Sequence, residues 1–358
     1  MGLRPLRPTT FVLRKNRRMA VKPQPRNTHP TPAHSAKRRL ALLGLPLAAC
    51  LLLASCADEP TDTTDGADQS SSSGTSQSAE ATFPVTVASG QLPQTSELVI
   101  EEEPTSIVSL SPTATETLWA VGAGDQVVAV DDQSDYPEDV PTTKLSGYTP
   151  NTEAILGYEP DLVVTASEDA DLISGLAAAG VPTLVLPSAA DLDEAYSQIE
   201  RIGAATGHIA EAAKLVAEMQ SDIEAALEDA PQAKGLTYFH ELDPALFTVS
   251  KDTFIGEVYG LFGMVSIGDA ADDGDAYPQL SAEYVVSADP DVVVLADGEC
   301  CDVTPEAVAK RPGWAGITAV RQGRVHMVNE DIASRWGPRV VDFIEDINEL
   351  IADVEPAS

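Results

Sequence analysis

Short apolar runs alternate with helical patterns from about residue 105 onward. The runs are "TSIVSL", "QVVAV", "PDLVVTA", "VPTLVLP", "KGLTYFH", "PDVVVLAD" and "RVHMVN". Near-continuous Val and Leu runs separated by helices are typical of parallel strands covered on both faces. The pattern therefore predicts an α/β fold built on parallel sheets.

A helix is predicted between the first two of these runs. Its segment, "PTATETLWAVG", places Thr113 and Glu116 at the spacing of a capping box, and Gly122 at a position that ends a helix.

A second, longer helix is predicted in the middle of the chain. Apolar positions keep helical spacing from Ile209 to Leu227 without Gly or Pro, after a break at Gly207. One helix within residues 207–230 would thus join an N-terminal lobe (83–206) to a C-terminal lobe (231–358).

The two lobes carry an internal repeat. The segment "NTEAILGYEPDLVVTASED" (151–169) aligns without a gap on "SAEYVVSADPDVVVLADGE" (281–299). Each copy also follows a Tyr and a Pro, in "GYTP" and "AYPQ". The repeat predicts two lobes of the same design.

Each copy begins with a helix N-cap, Asn151 or Ser281, which places Glu153 and Glu283 in the first turn of a short helix. A carboxylate there is favoured by the helix dipole alone. Two glutamates at equivalent places on two lobes also suit a partner with two-fold symmetry. The residues by themselves leave both explanations open.

The N-terminal 55 residues form a predicted export signal. They hold 11 of the 22 Lys and Arg residues and no Asp or Glu, and the apolar run "LALLGLPLAACLLLAS" is short for a membrane span. The run ends at Cys56 in a sequence that resembles the lipobox of bacterial lipoproteins. Cys50 also fits that pattern, but cleavage there would leave an apolar stub. The interpretation is a signal peptide (1–55) and lipidation of Cys56.

The rest of the chain is strongly acidic. Residues 56–82 contain almost no apolar side chains, which predicts a disordered tether. Beyond residue 55, 11 basic residues face 56 acidic ones, a net charge of −45. Such a charge repels nucleic acid and anionic lipid, so the lipid anchor is the only membrane contact expected.

The sequence offers little support for catalysis or direct metal binding. "VGAGDQ" lacks the third glycine of a nucleotide-binding fingerprint, and no nucleophile elbow or zinc-protease helix occurs. Three scattered histidines after residue 55 do not supply a cage for a metal ion. An enzyme on this fold is therefore the less favoured hypothesis, and no metal site or cofactor is predicted.

Two adjacent cysteines, Cys300 and Cys301, lie in "LADGECCDV". An exported protein can form a disulfide, although adjacent Cα atoms about 3.8 Å apart would strain it. Nearby acidic residues raise a thiol pKa and disfavour thiolate chemistry. A vicinal disulfide, two free thiols, and contact with a ligand or metal all stay open.

The chain resembles the substrate-binding lipoproteins of ABC importers for ferric siderophores and vitamin B12, over roughly residues 83–350. The resemblance is carried by "IVSLSPTATETLWAVGAGDQVVAVDDQSDYP", "NTEAILGYEPDLVV", "YPQLSAEYVVSADPDVVVLAD" and "RPGWAGITAVRQGRVHMV" followed by "SRWGPR". It implies two Rossmann-like lobes bridged by one long helix, with the ligand in the cleft between them. It also implies that Glu153 and Glu283 dock on arginines of a permease dimer, and that the receptor is a monomer on the outer face of the cytoplasmic membrane.

Open α/β sheets bind ligands beyond the carboxyl ends of their strands. That rule, applied to both lobes, predicts the ligand-binding residues. They are Ser111, Thr113, Tyr148, Ser167, His240, Tyr277, Cys300, Cys301, Arg335, Trp336 and Arg339.

Arg335 and Arg339 stand out because cations are scarce. They could screen the nearby acidic residues 342, 345 and 346, or Arg335 could grip oxygens of the ligand in two-pronged fashion. The expected cargo is a ferric siderophore, an iron chelate, with cobalamin or haem as alternatives.

Overall fold

The computed structural model describes residues 82–354, except 229, 231, 232, 272 and 273. The described residues belong to a single compact unit. The predicted signal peptide, Cys56 and the predicted tether up to residue 81 lie outside them.

Four parallel strands form the sheet of the first lobe, in the order β4-β3-β5-β6. Strands β3 (Ile107–Leu110) and β5 (Leu162–Thr165) are central, with β4 (Val127–Val130) and β6 (Thr183–Val185) at the edges. Every residue of the two central strands is buried. This explains why their apolar runs are continuous rather than alternating.

The second lobe repeats this arrangement, with parallel strands in the order β10-β9-β7-β8. These strands are β7 (Thr237–Glu241), β8 (Val265–Ser266), β9 (Val292–Leu295) and β10 (Val325–Met327). All seven predicted strands are present, and the α/β fold with two parallel-sheet lobes is confirmed. The two-residue β8 is too short to leave a sequence pattern.

An antiparallel hairpin precedes the first sheet and was not predicted. It consists of β1 (Val85–Ser89) and β2 (Ser96–Ile100). The backbone N–H of Gly90 donates to the carbonyl of Val185 in β6 at 2.8 Å. The hairpin therefore covers the edge of the sheet that β6 would otherwise expose.

Helices connect the strands and cover both sheets. None in the described ranges has both the length and the apolar character that a membrane span needs. Their bounds are α1 (Pro112–Ala120), α2 (Thr152–Leu156), α3 (Ala170–Ala178), α4 (Leu192–Thr206), α5 (Ile209–Glu228), α6 (Phe254–Leu261), α7 (Ala282–Ala288), α8 (Gly298–Cys301), α9 (Pro305–Val308), α10 (Thr318–Arg321), α11 (Glu330–Ser334) and α12 (Val340–Ala352).

Helix α5 is the predicted long helix between the lobes. Gly207 ends α4 in the left-handed conformation, with φ 89°. A Cβ on Gly203 of α4 would lie 2.3 Å from the Cβ of Ala212 in α5, so only glycine allows this close packing. On the other side, Asn348 of α12 donates to the carbonyl of Ala226 in α5 at 2.9 Å. One apolar core runs through both lobes by way of these three helices.

The sequence repeat has the same local structure in both lobes. Asn151 accepts a hydrogen bond from the N–H of Ala154 at 2.9 Å, and Ser281 accepts one from Tyr284 at 3.1 Å. The predicted N-caps of α2 and α7 are thus confirmed, and such caps contribute about 1 kcal/mol each.

Candidate functional site

A cavity of about 360 Å³ lies where the carboxyl ends of β3, β4 and β5 meet α11 and the loop after it. This cavity is called the cleft below. Its lining residues are Leu110, Ser111, Pro112, Thr113, Asp131, Gln133, Gly147, Tyr148, Ala166, Asp331, Ser334, Arg335 and Trp336.

The cleft brings together five of the predicted ligand-binding residues. These are Ser111, Thr113, Tyr148, Arg335 and Trp336. The polar lining residues that the prediction missed are Asp131, Gln133, Asp331 and Ser334. Asp131 directly follows β4, so the strand-end rule, applied to that strand as well, would have found it.

Tyr148 owes its position to the glycine before it. A Cβ on Gly147 would lie 2.5 Å from Asp131 Oδ2 and 2.5 Å from the carbonyl oxygen of Leu110. Only glycine lets the chain pass this close to β3 and β4. The next residue, Tyr148, leaves its side chain 95% exposed at the cleft, where its ring can lie against a ligand.

Trp336 is held in place from the opposite lobe. Its indole Nε1 donates to Gln198 Oε1 at 3.0 Å, and Gln198 Nε2 donates to the carbonyl of Pro187 at 2.7 Å. Because the ring nitrogen is satisfied by α4, the ring has a fixed orientation. Trp336 is thus a rigid aromatic wall of the cleft.

Arg335 bonds across the lobes rather than into the cleft. Its Nη1 donates to Glu116 Oε1 at 2.7 Å and to Asp135 Oδ1 at 3.1 Å. Its Nη2 donates to Asp331 Oδ1 at 2.5 Å and to the carbonyl of Gln133 at 3.2 Å. Both nitrogens that a two-pronged grip would need are occupied. Of the two roles left open for Arg335, these contacts therefore favour a structural one over a two-pronged grip on the ligand.

Arg339 shares the same carboxylate and does not line the cleft. Its Nε donates to Glu116 Oε2 at 2.9 Å and its Nη2 to Glu116 Oε1 at 2.6 Å, and its guanidinium lies 4.2 Å from the ring centre of Tyr136. The hydrogen bonding of Arg339 to the Glu116 carboxylate is the main cause that raises the Arg339 pKa. The set Glu116, Arg335 and Arg339 is called the lobe latch below.

The lobe latch corrects two predictions. Glu116 is not part of a capping box with Thr113, because the N-cap of α1 is Ser111, which accepts from the N–H of Ala114. The arginines pair with Glu116, 219 and 223 residues away in sequence, rather than with the acidic residues of α12.

Asp131 is a buried carboxyl in the cleft floor, with 1% of its surface exposed. Burial is the main cause that raises its pKa, opposed by hydrogen bonds from Ser134 and Gln133. Behind it, Thr115 donates to Ser109 at 2.8 Å and shares a 2.8 Å bond with Ser134. The floor is therefore acidic and hydroxyl-rich.

His240 does not reach the cleft, contrary to the prediction. It is fully buried on β7, its Nδ1 lies 2.9 Å from the hydroxyl of Tyr259, and burial lowers its pKa to about 3. The strand-end rule failed here because β7 extends one residue further, to Glu241.

Ser167, Tyr277, Cys300 and Cys301 lie outside the lining of the cleft. The two cysteines form a disulfide on the exposed helix α8. The N–H of Cys300 donates to Glu330 at 3.2 Å, so α8 contacts the start of α11, whose last turn lines the cleft.

A second buried acidic group lies beneath α8. Glu241 accepts two 2.6 Å bonds from Arg311. Asp297, which precedes α8, is fully buried, and its carboxyl group interacts with that of Glu241. Burial, followed by the charge of Glu241, raises the Asp297 pKa to about 7.

Glu153 and Glu283 occupy the first turns of α2 and α7 and are both exposed. Neither forms a salt bridge with any described residue. Among described residues, no cluster of three or more His, Cys, Asp or Glu side chains could hold a metal ion.

Two parallel-sheet lobes, one connecting long helix and a cleft at the strand ends define a two-lobed substrate receptor. Residues 107–331 match the model of the periplasmic binding protein family, and the chain belongs to this family.

Three similar proteins narrow the class. The chain is 35% identical to an uncharacterised ABC transporter substrate-binding lipoprotein of Bacillus subtilis, over 88% of this chain and 98% of that protein. It is 33% identical to a cobalamin-binding protein of Halobacterium salinarum, over 68% of this chain and 69% of that one. Among solved structures, a vitamin B12-binding protein of Vibrio cholerae superposes with a TM-score of 0.58 at 26% identity, over 69% of this chain and 96% of that one.

The family consists of substrate-binding proteins of ABC transporters. The prediction of a non-catalytic receptor is therefore confirmed.

Proposed function

We propose that the chain is the receptor of an ABC importer for a large chelate without net negative charge, and that a corrinoid is the cargo that suits the cleft best. The observation that carries this proposal is the charge of the cleft. Its lining contains the carboxyl groups of Asp131 and Asp331, and its one arginine, Arg335, is already paired with three carboxylates.

This charge pattern disfavours polyanionic ligands. At an effective dielectric constant of 20, two like charges 6 Å apart repel by roughly 3 kcal/mol. A ferric catecholate, with several negative charges, or haem, with two propionates, would meet this repulsion without an unpaired cation in the described lining to offset it. Corrinoids lack that charge, and two of the similar proteins are named for binding cobalamin or vitamin B12.

A neutral ferric hydroxamate siderophore is the second candidate. It also avoids the repulsion, and the aromatic faces of Tyr148 and Trp336 suit either a macrocycle or a chelate. Among the predicted siderophore cargoes, the proposal thus favours this neutral class.

The delivery step of the proposal uses Glu153 and Glu283. Both carboxylates are exposed on equivalent helices, as contacts with arginines of a permease dimer would require. The receptor would be anchored by lipid at Cys56 on the outer face of the cytoplasmic membrane and act as a monomer.

Titration calorimetry on the exported chain with Cys56→Ser, which removes the lipid site, tests the cargo. Cyanocobalamin, a neutral ferric hydroxamate, a ferric catecholate and haem are compared. Cyanocobalamin is expected to bind with a Kd below about 1 μM and more tightly than either anion. Tighter binding of the catecholate or haem would contradict the charge argument.

A further inference from the structure

We propose that the second lobe carries an anchor site for an apolar side chain of the permease, in a pocket next to Glu283. The pocket has a volume of about 550 Å³ and is called the side pocket below. Its lining includes Leu246, Ala282, Glu283, Val286, Arg311 and Trp314. This inference rests on the proposed docking of the receptor on a permease.

The walls of the side pocket are largely apolar. They come from the loop after β7, from α7 and from the loop after α9, which contribute Leu246, Val286 and Trp314 respectively. Trp314 is fully buried and forms the floor, while Ala282 is exposed at the rim. An apolar side chain entering from outside would therefore exchange water for apolar contacts.

Leu246 adopts an unusual backbone conformation at this pocket. Its φ of 67° lies in the left-handed region, which leucine rarely occupies. The turn is held by the Leu246 N–H donating to the carbonyl of Asp243 and by the Leu246 carbonyl accepting from Leu280, both at 3.0 Å. Strain of this kind persists where the surroundings enforce it and clusters at binding sites.

The side pocket presents a negative charge at its mouth. Arg311 contributes no free positive charge, because Glu241 accepts bonds from both of its terminal nitrogens and its guanidinium lies 4.6 Å from the ring centre of Trp314. Glu283 is exposed and makes no salt bridge within the described part of the chain. The matching occupant is an apolar side chain next to a basic residue on one permease loop.

Docking at the side pocket would thus combine two contacts, one electrostatic and one apolar. Glu283 would attract and orient the basic residue, a contact that is mainly long-range and salt-dependent. The apolar neighbour would enter the pocket and slow dissociation. Burial of one such side chain corresponds to roughly 10- to 100-fold in affinity.

Two variants separate apolar anchoring from simple obstruction. Ala282→Trp places a large ring over the mouth, whereas Leu246→Asn keeps the size of the wall residue, removes its apolar character and suits the left-handed conformation. Ala307→Trp, on the exposed surface of α9 outside the lining, is the matched control for the added ring.

The measurement is binding of the full-length receptor to its permease complex in lipid nanodiscs, with Tm and cyanocobalamin affinity recorded for each variant. We expect Ala282→Trp to weaken permease binding at least tenfold and Leu246→Asn at least fivefold. Ala307→Trp should leave it unchanged. The Tm is included because Leu246 packs on the second-lobe core.

The outcomes distinguish the anchor from the docking proposal itself. If Glu283→Ala weakens binding while both pocket variants bind normally, or if only Ala282→Trp weakens it, the anchor is overturned. If Glu283→Ala binds as the unchanged receptor does, the docking proposal fails as well.

Discussion

Removal of the Glu116 carboxylate should strongly destabilise the protein. In Glu116→Ala, the guanidinium groups of Arg335 and Arg339 would lose three hydrogen bonds of 2.6 to 2.9 Å. Their side chains are only 8% and 16% exposed, so water cannot fully replace the carboxylate. Arg335 would keep Asp135 and Asp331, whereas Arg339 would lose the carboxylate that it binds. Breaking a buried ion pair on one side costs about 3–5 kcal/mol, because a charge is left buried without its partner.

Urea unfolding followed by circular dichroism measures this loss. We expect the free energy of unfolding to fall by about 3–5 kcal/mol, and Tm to fall by roughly 6–15 °C for a folded unit of this size. Glu153→Ala is the matched control, since this exposed glutamate makes no salt bridge with described residues and should change stability by about 0.5 kcal/mol or less. The difference in stability between Glu116→Ala and Glu153→Ala should persist in 1 M salt, because salt screens buried ion pairs only weakly.

A second comparison identifies the origin of the loss. Joint replacement of Glu116, Arg335 and Arg339 by Leu, Met and Met should recover part of the stability, because the buried charges are removed together and only the more exposed Asp331 and Asp135 lose a partner. A loss below about 1 kcal/mol in Glu116→Ala would refute the reasoning, because it would mean that the lobe latch is hydrated or replaceable.

Three further predictions follow from single sites. The pKa of Asp297 is raised to about 7, so the native state holds a proton that the unfolded state releases from about pH 4. Stability should therefore fall as pH rises from about 4 to 7. Unfolding experiments at each pH should show a smaller fall for Asp297→Asn and an unchanged one for exposed Asp302→Asn; part of the fall remains in Asp297→Asn because burial also raises the pKa of Asp131. Gly147→Ala would place a methyl group 2.5 Å from two oxygens, so it should lower the free energy of unfolding by about 1–3 kcal/mol and weaken ligand binding. Gly260→Ala is the control: because the space around Gly260 is open, this change should leave stability the same or raise it slightly. Alkylation of the denatured mature protein, followed by mass spectrometry, should label Cys300 and Cys301 only after reduction; full labelling without reductant would exclude their disulfide.

The strands could be predicted from sequence because their signal is local. Central strands such as β5 and β9 are buried along their whole length, so each reads as one apolar run. The N-caps at Asn151 and Ser281 could be predicted equally well, because a cap depends only on residues within one turn. The β1–β2 hairpin was not predicted because its short strands expose part of their side chains and therefore contain no continuous apolar run.

The cleft was predictable only in outline. The strand-end rule located Ser111 and Tyr148, but the role of Glu116 depends on arginines more than 200 residues away. The spacing of Glu116 from Thr113 suggested a local cap, and nothing in the local sequence pointed to the distant partners. The prediction that His240 lines the cleft was wrong for a related reason: the sequence of a strand does not show at which residue the strand ends.

The two lobes share a design but differ in what their strand ends do. In the first lobe, the ends of β3 and β4 open into the cleft, and Ser111 and Asp131 belong to its lining. In the second lobe, β7 and β9 end at the buried carboxyl groups of Glu241 and Asp297, and Glu241 is paired with Arg311 of the side pocket.

The connection between the two lobes bears on how a permease could sense a loaded receptor. The lobe latch ties α1 to the segment after α11, and a continuous core joins the lobes through α4, α5 and α12. A large rotation between lobes would have to break both. Under the docking proposed above, the permease is therefore expected to respond to the ligand itself and to loops at the cleft, rather than to a change in the distance between the proposed docking residues Glu153 and Glu283.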